Sequence, residues 1–313
     1  MILVLGVSQV AAWGNLGHRT VAYLAEKHLT HAGLAFVRSI LGDVDISEAA
    51  IWADWYKDTP EGKYTGSWHF INGHDDPPTS CDLDLARDCP GQNGCIVTAI
   101  MNMTKQLGTN SISNLEKTAA LKFLIHLVGD LHQPLHTEAL ARGGNDIPVL
   151  FGGQAYNLHF LWDVIFPQMM TSSNETNEVT AAKSWAQNLY DRTAVQALGE
   201  DMRMPGYYSL DQKDGEVRME LARSMEPNLD VLGLAKETNR LVCVYVLKDG
   251  IDEVKGKELN GSYYAESIPV IEDQLARAGR RLGNIINVLA QEMVNGKSQG
   301  RDLANPPPLC GQI

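Results

Sequence analysis

Residues 113–136 read SNLEKTAALKFLIHLVGDLHQPLH. Ser113-Asn114-Leu115-Glu116 has the form of a capping box, in which the serine hydroxyl and the glutamate carboxylate satisfy N–H groups at a helix start. Ala119 to Leu131 then runs as helix, and Pro134, which has no N–H to donate, marks its end. His126 and Asp130 lie four residues apart, so both project from one face about one turn apart. Asp130 follows the apolar run Leu124-Ile125-His126-Leu127-Val128. A carboxylate facing a core is costly unless a cation or a donor neutralises it. The stretch predicts a helical core with a polar centre built into it.

Helical spacing extends in both directions. Residues 18 to 41 carry apolar positions at helical intervals, with a break before Ala32 to Leu41, and Ser47 with Ala49 to Lys57 reads as a capped helix. Further helices are expected at about 178–198, 213–225, 229–248 and 262–294. Ile147 to Leu150 and Ala155 to Leu158, joined across Gly152-Gly153, read as a small β-hairpin. The loop at 72–94 is long and polar. With no repeat and no long linker, the expected fold is all-α: one mainly helical domain over residues 13–295 with a small hairpin, followed by a Pro-rich tail over 296–313.

The chain has 313 residues, 44% of them hydrophobic, which is enough for a substantial core and excludes a disordered or collagen-like chain. No apolar run reaches the roughly 18 to 20 residues of a membrane span. Lys and Arg number 26 against 38 Asp and Glu, a net charge of −12. Such a surface does not suit a broad basic grip on nucleic acid. Phosphate chemistry here would need local positive charge, for which metal ions are the obvious source.

Met1 to Ala12 is apolar, ends in small residues and resembles the end of a signal peptide cleaved before Trp13, although it is short and lacks a basic start. Cysteine usage agrees with export. Cys89 and Cys95 can close a short loop, Cys81 could staple that loop to Cys243, and Cys310 is then unpaired; spacing alone does not fix the connectivity. Sequons at Asn102, Asn174 and Asn260 are compatible with glycosylation on a secretory route.

Five of the nine histidines sit in tight polar constellations. His126/Asp130 and His159/Asp163 are HxxxD pairs, His136 follows Pro134, His69 follows Trp68, Asp54 lies in Trp52-Ala53-Asp54, and His18 lies five residues after Trp13. Two HxxxD pairs in a chain with nine histidines are not unusual by themselves, and any one histidine is more often structural than a ligand. Together, imidazoles and carboxylates without thiols at zinc-finger spacing suit catalytic rather than structural zinc.

The ordered set Trp13-Gly14-x-x-Gly17-His18, Trp52-Ala53-Asp54, Trp68-His69-Phe70, His126-x-x-Gly129-Asp130-x-His132-Gln133-Pro134-Leu135-His136, Gly143-Gly144-Asn145 and Asn157-Leu158-His159-x-x-Trp162-Asp163 resembles the single-strand-specific zinc nucleases of fungi, plants and trypanosomatids, also called class I nucleases or 3′-nucleotidase/nucleases. The resemblance runs from Trp13 to about Asn287 and implies the phospholipase C/nuclease-like helical fold. It also implies three Zn²⁺ per chain. Asp54, His69, His126 and Asp130 would hold one ion. His18, the other oxygen of Asp130, and the α-amine and carbonyl of Trp13 would hold a second. His136, His159 and Asp163 would hold the third. His132 is no ligand in that pattern.

The same resemblance places Asp54, Asp130 and Lys57 at the reacting phosphate, with Lys57 neutralising it unless it is merely solvated. It places Phe70 as a base-stacking residue (core packing being the alternative), with Asn72 and Asn145 beside the substrate. Asn72 stands where fungal members carry an acidic residue, and Val164 where a polar residue often follows the last Asp, so base preference is open. The expected activity is hydrolysis of single-stranded RNA and DNA to 5′-phosphorylated products, with 3′-nucleotidase activity, by a secreted or luminal monomer. A zinc phospholipase C on the same scaffold is the alternative, and a non-catalytic zinc-binding protein a more distant one. Because an α-amine at Trp13 exists only after cleavage behind Ala12, the unprocessed chain is expected to be inactive.

Overall fold

The computed structural model describes residues 13–109, 111–171, 177–197 and 229–296. The expected signal segment 1–12, the Asn174 sequon, the helix expected at 213–225 and the tail beyond 296 with Cys310 lie outside the described residues. The described chain is mainly helical with one two-stranded sheet, as the sequence predicts.

Helix α1 (Asn15–His28) forms the centre. Its residues Leu16 to Ala25 are all buried, including His18, Arg19 and Thr20, so it is a core helix rather than a two-faced surface one. The turn at Thr30 leads into α2 (His31–Leu41), the Thr30 hydroxyl capping it by accepting from Gly33 N at 3.1 Å. Helix α3 (Ile46–Lys57) starts one residue before Ser47: Asp45, not Ser47, is the cap, accepting from Ser47 N at 2.9 Å. The Ser47 hydroxyl is instead buried against Arg19 and Tyr23. Arg19 also reaches Glu48 and Glu178, so one buried guanidinium ties three helices together.

The 72–94 loop holds a four-residue helix, α4 (Leu85–Asp88), and is fixed by the disulfides Cys81–Cys243 and Cys89–Cys95. Helix α5 (Ile96–Leu107) then packs on α6 (Asn114–Leu131). The capping box at Ser113/Glu116 forms as expected. Strands β1 (Pro148–Phe151) and β2 (Gln154–Asn157) pair antiparallel, with Gly152 and Gly153 at positive φ in the turn. Both glycine N–H groups donate to the Glu258 carboxylate, anchoring the hairpin tip.

After α7 (Leu158–Phe160) the chain widens into a π-turn at Leu161–Ile165, then α8 (Phe166–Met170) and α9 (Glu178–Ala197) follow. The helix expected at 229–248 is α10 (Val231–Leu241) continued by a second π-turn at Val242–Val246. Helix α11 (Ser262–Val294) matches the predicted span. It lies directly on α1: a Cβ at Gly283 would stand 2.8 Å from His28 Cβ and 2.9 Å from the Ala25 carbonyl, so glycine permits the approach. The buried face of α11 (Val270, Ile271, Leu275, Leu282, Ile286) closes the core around α1. Among the described residues no helix is long and apolar enough to cross a membrane.

Candidate metal centre

The C-terminal half of α6 carries the centre. Asp130 is fully buried, and three imidazoles converge on its carboxylate: His18 Nε2 at 3.1 Å from Oδ1, His69 Nδ1 at 2.9 Å and His126 Nε2 at 3.1 Å from Oδ2. Asp54 on α3 completes the group, with Oδ1 3.6 Å from His69 Nδ1 and 3.5 Å from His126 Nε2. The His18 and His126 rings stack at 3.8 Å. Helix spacing explains the convergence: residues four apart on α6 share one face, and central α1 delivers His18 to it.

Backbone carbonyls set the ring orientations. His126 Nδ1 bonds the Ala50 carbonyl at 2.6 Å, His136 Nδ1 the His69 carbonyl at 2.6 Å, and His159 Nδ1 the Gly143 carbonyl at 2.6 Å. Only an N–H can bond a carbonyl, so in each ring Nε2 is left to carry the lone pair that points at the cluster. His136, His159 and Asp163 form the neighbouring group, with His159 Nε2 3.0 Å from Asp163 Oδ2 and the two rings 5.0 Å apart. The π-turn at Leu161–Ile165 carries Asp163 back toward His159.

The electrostatics are those of a cation site. Burial would pull His126 down, but the Asp130 and Asp54 carboxylates outweigh it and push it up to about 10. Burial holds His69 down at about 4, and it lowers His18 and His136. Burial alone would raise Asp54 and Asp130, yet the facing histidines hold both far below the usual carboxylate range. The negative charge that retains a proton on His126 would hold a divalent cation in its place. His18 Nε2, Asp54 Oδ2, Asp130 Oδ1, His136 Nε2 and Asp163 Oδ2 are buried without a hydrogen-bond partner, and such donors are costly unless a cation takes their lone pairs.

Three groups thus have ligand atoms within 4.8 Å of one another: His18/His126/Asp130, Asp54/His69/His126, and His136/His159/Asp163. All eight predicted side-chain ligands come together, with His126 and Asp130 at the junction of the first two groups. Trp13 is fully buried beside them: the next residue, Gly14, donates its N–H to the Asp163 carbonyl at 2.8 Å. Lys57 is not a solvated lysine; its Nζ pairs with Asp54 Oδ1 at 2.5 Å. Phe70 directly follows His69 and is 37% exposed, so it is not core. Asn72 is exposed, and Asn145 is half-buried, its Nδ2 donating to the Arg142 carbonyl at 2.8 Å.

Gln133 escaped the sequence reading as a site residue. Its Nε2 donates to Asp163 Oδ1 while its Oε1 accepts from Leu135 N, so it ties the segment after α6 to the third group. His132 is buried and outside the cluster: Nδ1 donates to the Val128 carbonyl and Nε2 accepts from Arg281. Burial and the Arg281 guanidinium together hold it well below its usual value, and so neutral.

Fold and site define a helical metalloprotein whose buried His/Asp groups adjoin one another around a shared carboxylate. The S1/P1 Nuclease family matches residues 13–291. The chain is 38% identical over 285 residues to Nuclease S1 of Aspergillus oryzae, covering 90% of this chain and 92% of that one. It is 38% identical over 278 residues to Nuclease P1 of Penicillium citrinum, with 88% and 97% covered. It is 29% identical over 296 residues to Endonuclease 3 of Arabidopsis thaliana, covering 92% of each. The chain belongs to the S1/P1 nuclease family.

Proposed function

We propose that this nuclease is a zinc-dependent endonuclease that hydrolyses single-stranded RNA and DNA to 5′-phosphorylated products and removes phosphate from 3′-nucleotides. The observation that carries the reading is the convergence of His18, His69 and His126 on buried Asp130, with His136, His159 and Asp163 adjoining. Imidazole and carboxylate donors in thiol-free groups suit zinc. We assign one ion to Asp54, His69, His126 and Asp130, a second to His18, Asp130 and the Trp13 amine and carbonyl, and a third to His136, His159 and Asp163. Zinc at such a site supplies charge against the phosphate and makes water a nucleophile near neutral pH.

The chain's own residues do the rest. Asp54 holds Lys57 at the edge of the group, where its ammonium meets a phosphate oxygen. Phe70 offers a ring face to a base, which a paired base in duplex cannot reach. Asn72, in place of a carboxylate, relaxes any preference for one base, and Asn145 borders the third group through the Gly143 turn. The net charge of −12 disfavours duplex bound along a broad face. The chain acts as a monomer in the exterior or the lumen of the secretory route, with Trp13 as its processed start. Asn260, exposed in a loop, and Asn102, half-buried on α5, are its glycan acceptors among the described residues.

Digestion of matched single-stranded and duplex oligonucleotides by the processed protein tests this reading. Preferential cleavage of the single strand with 5′-phosphate ends is expected. Equal duplex cleavage, or phosphocholine release from lecithin without nuclease activity, contradicts it.

A further inference from the structure

Among the described residues only two Phe, Tyr or Trp side chains are exposed, Trp55 at 67% and Phe70 at 37%. Each directly follows a member of the Asp54/His69/His126 group, Phe70 after His69 and Trp55 after Asp54. Asp54 Oδ1 and His69 Nδ1 lie 3.6 Å apart, so the two rings branch from chain segments that meet at the centre. Phe70 has a place in the proposed chemistry; Trp55 has none.

An indole left largely in water is uncommon, because tryptophan normally buries most of its surface. The other aromatics of α3 show what packing does with such a ring. Trp52 and Tyr56 stack at 4.6 Å, 18° from parallel, and both meet Phe123 edge-on, at 5.2 and 5.8 Å. Trp55, between them in sequence, joins neither: its ring meets no other ring, cation or hydrogen-bond partner among the described residues.

Successive residues turn about 100° around a helix, so Lys57, Asp54, Trp55 and Trp52 follow one another around α3. On one side of the exposed ring Lys57 pairs with Asp54, and on the other Lys122 Nζ stands 5.0 Å over the Trp52 ring. A free ring face between two ammonium groups suits a strand in which bases alternate with phosphates. A lipid surface would call for several exposed apolar side chains together, and no other apolar residue of α3 is exposed. We propose that Trp55 is a second base platform, stacking a nucleobase that flanks the one at Phe70, with Lys57 and Lys122 facing the phosphates on either side of it. This platform presupposes the nuclease reading above and extends the grip on the substrate beyond one nucleotide.

The test uses the processed, zinc-loaded wild type, Trp55→Ala and Trp55→Tyr. Calorimetry gives the Kd of a ten-residue oligothymidylate with cleavage-resistant phosphorothioate linkages, and of 5′-TMP, which carries a single base. The preference for the decamer over the mononucleotide, as the ratio of the two Kd values, should fall about tenfold in Trp55→Ala and largely return in Trp55→Tyr. The decamer should also quench the fluorescence of the wild type more than that of Trp55→Tyr. Both variants should keep their zinc content and circular dichroism, because the position is exposed. Equal ratios in the wild type and Trp55→Ala overturn the proposal. So does Trp55 emission that shifts to the blue on phosphatidylcholine vesicles and is unmoved by the decamer. Cleavage of single-stranded DNA by Trp55→Ala at the wild-type KM refutes the platform and leaves the nuclease reading standing. A wild type that neither binds nor cleaves the single strand refutes both.

Discussion

Gly129→Ala separates the centre's geometry from the helix that carries it. Gly129 precedes Asp130 on α6, and a Cβ there would stand 2.9 Å from His18 Nδ1 and 3.3 Å from His18 Cε1. Optimal carbon contacts begin near 3.5 Å, so the ring must retreat by about half an ångström. It has little room: His18 is 1% exposed and stacks on His126 at 3.8 Å. A misplacement of 1 Å can cost about 100-fold in a positioned reaction, so half that corresponds to about tenfold. The helix itself gains, because alanine is favoured over glycine inside a helix by up to about 1 kcal/mol. The variant should keep its far-ultraviolet circular dichroism. Its kcat/KM on single-stranded DNA should fall about tenfold, and it should lose zinc at a lower chelator concentration than the wild type. Wild-type kcat/KM with unchanged zinc retention would refute the assigned role of His18.

Three further outcomes follow from particular contacts. Gln133→Ala removes the donor to Asp163 and should weaken zinc retention or activity about 10- to 100-fold, read by metal analysis against a chelator series. Removing Cys81–Cys243, which spans 162 residues, should cost about 5 kcal/mol in denaturant unfolding, against about 2 for Cys89–Cys95, which spans 6; equal costs would count against the loop-entropy argument. Burial would raise Asp88, but Arg87 and the Asp84 and His74 N–H groups outweigh it and hold it at about 2, below its ordinary 3.8. Its folded value is the lower one, so its stabilisation is complete above pH 3.8 and is lost as the pH falls through 2. Asp88→Asn should therefore lower Tm at pH 7, with the gap closing toward pH 2; a gap independent of pH would contradict this.

The sequence was most legible where one helix sufficed. The Ser113/Glu116 box, Pro134 and the His126/Asp130 spacing place the centre on α6, and the long periodic run at 262–294 forms as a single helix. The motifs from Trp13 to Asp163 name eight expected side-chain ligands, and the fold brings them together although they come from distant segments. What stayed hidden depends on groups with no sequence signature. The carbonyls of Ala50, His69 and Gly143 that orient three imidazoles could belong to any residue type. The Asp45 cap was masked by Ser47, an equally good cap candidate that tertiary contact with Arg19 and Tyr23 claims instead. The π-turns at Leu161–Ile165 and Val242–Val246 break helical periodicity by one residue, too little to read from apolar spacing.

The central claim is that these histidines and aspartates, with the amino end of Trp13, would hold the cations whose charge phosphodiester hydrolysis draws on. Elemental analysis of protein beginning at Trp13, run beside protein that keeps one extra N-terminal residue, tests it most directly, with both assayed on single-stranded DNA with and without chelator. The account predicts three zinc ions per processed chain, activity abolished by the chelator, and an extended form that lacks a full complement and is inactive. Full activity and three zincs in the extended form, or chelator-resistant cleavage, would contradict it.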